Sequence, residues 1–141
     1  MSEDDDFLQQ FEGRTLPLDQ WHHRAHLKVA YLYLTTLDFD AAAQRIRDGI
    51  RAYNAANNIQ DTPTGGYHET MTMAWLHLIA ATLSQYGSAA SADEFFDSQP
   101  QLTQKKILRL FYSPGRFMSP AAKTTFLEPD LTALPAVRRI S

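Results

Sequence analysis

The chain has 141 residues, enough for one ordinary domain with a real core and too few for two. Its 44% hydrophobic and 11% aromatic content argues against disorder, and the absence of cysteine excludes disulfides, thiolate metal ligands and thiol nucleophiles. Thirteen basic and sixteen acidic side chains give a formal net charge of -3, which lacks the basic field of a nucleic-acid binder, although Arg45, Arg47 and Arg51 form a local basic group.

The acidic run over residues 1–6 reads as a flexible, solvated lead-in and lacks the basic start and apolar core of a secretory signal. Phe7, Leu8 and Phe11 then have helical spacing, with Gly13 as a stop. Pro17 and Asp19 introduce a long helix, Asp19 as N-cap, running to about Leu37 and apolar on most sides from Ala25 onward, as expected of a buried helix. Asp38 opens an amphipathic helix over about Phe39 to Ala56, with Ala42, Ile46, Ile50 and Tyr53 on one face. The segment Thr62-Pro63-Thr64-Gly65-Gly66 is the clearest break in the chain.

A second long apolar helix is expected over about Tyr67 to Tyr86, stopped by Gly87. Ser91-Ala92-Asp93-Glu94 has the form of a capping box opening a short helix that Pro100 ends. Leu102 to Tyr112 reads as a further helix, and the Ser113-Pro114 and Ser119-Pro120 pairs as two short helical turns. No strand pattern is present. The expected fold is all-α: one helical domain over residues 1–141, an irregular four-helix bundle with short accessory helices. The longest apolar stretch, Leu27 to Leu37, carries Lys28 and Thr35 and is too short to span a bilayer, so no membrane partner and a cytoplasmic location are expected.

The candidate site rests on histidine placement. At about 100° per residue, His26 lies roughly 40° from His22 and 60° from His23 around the helix, so either pair can address one point. His68 and Glu69 begin the other long helix, directly after Gly65-Gly66-Tyr67. One helix intervenes between the two, so an up-down-up run makes them parallel and sets their starts at the same end. The chemical expectation is a metal site of His23, His26 and His68, with His22 or Glu69 as a further ligand. Imidazole and carboxylate suit zinc, iron, nickel or copper. Glu69 or Tyr67 is then a candidate general base, Trp75 a candidate pocket floor, and Arg116 a candidate for a substrate anion. The alternatives are a metal-free pocket for a small molecule, a protein-interaction module, and a purely structural role for the histidines. His77, about 180° from His68, is expected to be structural.

The segments His23-Arg24-Ala25-His26-Leu27 and Gly66-Tyr67-His68-Glu69-Thr70, with Trp75, Tyr112-Ser113-Pro114 and Glu128-Pro129-Asp130, span most of the chain. In these it resembles a group of short bacterial all-helical proteins to which no activity is attached. In architecture it is also similar to the DinB-like metal-binding bundles, whose histidine triad implies a metal centre.

Overall fold

A computed structural model describes residues 2–136. It is an all-α bundle. Helices α1 (Glu3–Glu12), α2 (His23–Thr36), α3 (Phe39–Ala56) and α4 (Glu69–Tyr86) are followed by the short α5 (Ala92–Ser98), α6 (Pro114–Phe117) and α7 (Pro120–Thr124). Helices α2, α3 and α4 pack on one another as the centre; α1 lies against α2 and α3, α5 against α2, and α7 against α4. No helix among the described residues is long and apolar enough to cross a membrane.

The periodicity explains the packing. The buried residues of α3, Phe39, Ala42, Ile46, Ile50 and Tyr53, recur at helical spacing and face α2 and α4. Asp38 caps it, its carboxylate accepting from Ala41 N at 2.8 Å. At Gly49 an added Cβ would lie 2.7 Å from the Phe11 ring, so α1 and α3 approach closely only because that position has no side chain. Buried tyrosines satisfy their hydroxyls: Tyr53 donates to Leu16 O at 2.8 Å and Tyr112 to Leu127 O at 2.7 Å. Gly87 stops α4 at φ 80°, its N–H donating to Leu83 O.

Three segments differ from the sequence expectation. The acidic run is helix rather than lead-in. Ser2 caps α1 through a 3.1 Å bond from Asp5 N, and the four acids from Glu3 to Asp6 fill the first turn, where the helix dipole favours them. Asp4 also accepts from Ala92 N at 2.9 Å, which joins α1 to the start of α5. The first long helix does not begin at Asp19: Leu18–Gln20 form a 3₁₀ turn, and the chain is extended at His22 before α2 begins at His23. Leu102 to Tyr112 is not a regular α-helix but two 3₁₀ segments, Pro100–Thr103 and Lys105–Leu110, separated by an extended Gln104. In a 3₁₀ segment residues three apart eclipse, so Lys105 and Leu108 project the same way. That geometry matters for the site.

Candidate functional site

The starts of α2 and α4 border a single cavity of about 740 Å³. The α2 side contributes His22, His23, His26, Leu27 and Ala30. The first turns of α4 contribute Met71, Thr72, Trp75 and Leu76. Ile46 and Ile50 of α3, with Leu108, Tyr112 and Phe117, complete much of the lining. Both tryptophans of the chain, Trp21 and Trp75, line it. The walls are therefore largely aliphatic and aromatic, and the size is that of ordinary small-molecule pockets, roughly 300–1,000 Å³. Two methionines stand at its edge with much of their surface exposed, Met71 at 39% and Met118 at 67%.

The α2 histidines take different roles because the chain breaks before His23. His22 lies outside the helix, and its carbonyl accepts from both His26 N at 3.1 Å and His26 Nδ1 at 2.8 Å. A carbonyl only accepts, so Nδ1 of His26 carries the proton and Nε2 holds the lone pair. The His26 ring lies on Trp21, centroids 3.8 Å apart, and Trp21 in turn packs on Phe11 and Tyr53. Burial lowers the pKa of His26. His23 turns its ring to Trp75 at 4.9 Å, and its Nε2 is buried without a hydrogen-bond partner among the described residues. Burial, followed by the charges of Lys105, His26 and His22, lowers its pKa to about 4, so His23 is neutral at neutral pH.

His68 is placed differently. It is the N-cap of α4: Nδ1 accepts from Met71 N at 3.0 Å, so Nε2 bears the proton and donates to Phe117 O at 3.1 Å. Its ring stacks on Phe117, centroids 4.9 Å apart, behind the cavity wall. Both ring nitrogens are occupied. In this arrangement His68 does not join His23 and His26, and no group of three or more His, Asp or Glu among the described residues is placed to hold a metal ion.

Glu69 and Tyr67 belong to a separate cluster. Arg47 clamps the Glu69 carboxylate with two bonds, Nε to Oε1 at 3.0 Å and Nη2 to Oε2 at 2.7 Å. The Tyr67 hydroxyl donates to the same Oε1 at 2.5 Å. Burial pushes the Glu69 carboxyl upward, but the hydrogen bonds from Arg47 and Tyr67 outweigh it and hold the group below its ordinary value. Burial and the neighbouring carboxylate push the Tyr67 hydroxyl up. The cluster borders a second recess, formed with His77, Phe126 and residues 128–136, not the cavity of the histidines. His77 packs between Phe39 and Phe126. Arg116 also lies off the cavity lining, its Nε donating to Glu128 O at 2.6 Å and so fastening the tail.

Of the residues singled out from sequence, the structure thus gathers His22, His23, His26 and Trp75 at one cavity and sets His68, Glu69, Tyr67 and Arg116 elsewhere. The lining also holds two charged residues that the sequence reading did not single out, Lys105 and Arg109 of the 3₁₀ segment. Compared with known protein families, with curated proteins and with solved structures, the chain matches none.

Proposed function

We propose that this protein is a small-molecule-binding protein whose ligand occupies the cavity between the starts of α2 and α4 without a metal ion. The observation that carries this is a hollow of about 740 Å³ with aromatic and aliphatic walls and a few polar groups at its margin. Methionines at the edge suit ligand passage, because an unbranched thioether side chain adapts its shape at little cost.

Binding is favoured over catalysis by the state of the cavity's reactive groups. The hydroxyls of Thr72 and Tyr112 are committed to His68 O and Leu127 O. His23, with a pKa near 4, is a weak base at neutral pH. Glu69 is locked by Arg47 and faces the other recess.

Binding of the neutral probe N-phenyl-1-naphthylamine tests the reading, followed by energy transfer from Trp21 and Trp75. One saturable site is expected, and Ala30→Leu, which fills the cavity from α2, is expected to weaken it about tenfold or more. Absence of saturable binding would sink the proposal. Elemental analysis of protein purified without a histidine tag checks the metal-free part: about one equivalent of zinc, iron, nickel or copper would overturn it.

A further inference from the structure

The formal charges on the cavity are of one sign. The chain has more acids than bases, sixteen to thirteen, yet among the described residues no aspartate or glutamate lines this hollow, while Lys105 and Arg109 do. Both cations are exposed at its margin. Neither makes an ion pair among the described residues. Five other cations do pair with acids, Arg24 with Asp93 and Asp97, Lys28 with Asp93, Arg45 with Glu12, Arg47 with Glu69 and Lys123 with Asp61, so what sets Lys105 and Arg109 apart is their place on the cavity lining.

The local fold explains why Lys105 stands there. It shares the eclipsed face of the 3₁₀ segment with Leu108, which is buried in the cavity wall, so the same geometry that seats Leu108 brings the ammonium to the margin. It lines the same cavity as His22, His23 and His26 of the α2 start. An apolar hollow edged by two cations without acid partners among the described residues is complementary to a molecule with an apolar body and a negative end.

We infer that the ligand is an amphipathic organic anion, its apolar body held among Trp21, Trp75 and Leu108 and its carboxylate, sulfonate or phosphate end met by Lys105 and Arg109. This rests on the cavity-binding reading above and adds the charge of the ligand to it.

Two probes that differ by one sulfonate test it on the intact protein: neutral N-phenyl-1-naphthylamine and anionic 8-anilinonaphthalene-1-sulfonate. The anion is expected to bind about tenfold more tightly at low salt, a margin worth about 1.4 kcal/mol. Added salt should shrink that margin without moving the neutral probe. Lys105→Gln with Arg109→Gln should abolish the margin and leave the neutral probe's affinity unchanged. Lys106→Gln with Arg14→Gln, the same change of net charge on residues that do not line the cavity, should leave the margin intact. Equal affinities in the unmodified protein, or equal loss in both double variants, would overturn the anion inference while the cavity reading stands. If neither probe binds, both fall.

Discussion

Two polar clusters flank the start of α4, and they are built on opposite principles. In one, Glu69, Arg47 and Tyr67 satisfy one another: the carboxylate takes two bonds from Arg47 and one from the Tyr67 hydroxyl, and Lys123 donates to Tyr67 O at 2.6 Å. In the other, among the described residues, His23 keeps a buried nitrogen without a partner, and Lys105 and Arg109 stand at an apolar hollow with no acid on its lining. The first cluster joins α3 to α4 and gives the region a definite geometry. The second sets two exposed cations and a buried imidazole around a largely apolar cavity. The difference separates two kinds of residue that look alike in sequence: polar groups bonded to one another within the fold and polar groups set around a cavity.

The largest expected effect comes from breaking the satisfied cluster. Glu69→Ala leaves the half-buried Arg47 guanidinium unpaired and removes the acceptor for Tyr67. Losing one partner of a buried ion pair costs about 3 kcal/mol or more. A denaturant titration should show that loss, while the affinity for N-phenyl-1-naphthylamine in the folded protein stays within about twofold. A large fall in affinity with little loss of stability would reverse the roles assigned to the two clusters.

Acid should distinguish the clusters by pH window. The folded pKa of His23 is about 4, below its ordinary 6.5, so over that interval the unfolded chain binds the proton more readily. Stability therefore falls as pH drops from about 6.5 to about 4, and this group adds no further loss below that. His26 and His68, also lowered by burial, act in the same direction. Glu69 acts lower. Its carboxyl is held beneath 4.5, so its contribution is intact above 4.5 and is lost as pH falls through the depressed value. Thermal denaturation against pH should show a decline of several degrees over the first window. His23→Phe should flatten that decline, and Glu69→Ala should flatten only the more acidic limb. A His23→Phe profile that overlays the unmodified one would show that its proton does not register in folding.

How far all this was legible in sequence depended on the range of the interactions. Helices α3 and α5 announced themselves because their signals are local: Asp38 and Ser91 supply the caps and the apolar spacing does the rest. The break before His23 carried no such mark, since no glycine or proline sits at Trp21 or His22 and the turn is closed by the backbone bond Trp21 N to Leu18 O. Over a segment as short as Lys105–Leu110, periods of 3.0 and 3.6 are nearly indistinguishable, so the segment read as α-helix and Lys105 was assigned to no face. The clamp on Glu69 comes from a residue 22 positions away, beyond any spacing rule. Histidine is not among the usual N-cap residues, so nothing in the sequence marked His68 as a cap.

The smallest expected effects bear most directly on the histidines. His68→Ala removes the acceptor for Met71 N and the donor to Phe117 O, and cap losses of this kind cost about 1 kcal/mol. His23→Phe does the opposite. It replaces a buried nitrogen that has no partner among the described residues with carbon, keeps a ring against Trp75, and should leave stability unchanged or raise it by about 0.5 kcal/mol at neutral pH. A group whose replacement stabilises the protein has been kept at a cost to folding, and such costs gather at binding sites. The two substitutions should therefore diverge twice. His68→Ala lowers the melting temperature and spares probe binding, while His23→Phe holds or raises the melting temperature and alters the affinity of the cavity it lines. If both variants lose stability alike and bind alike, then His23, like His68, serves the fold, and the cavity's recognition rests on Lys105, Arg109 and the aromatic walls alone.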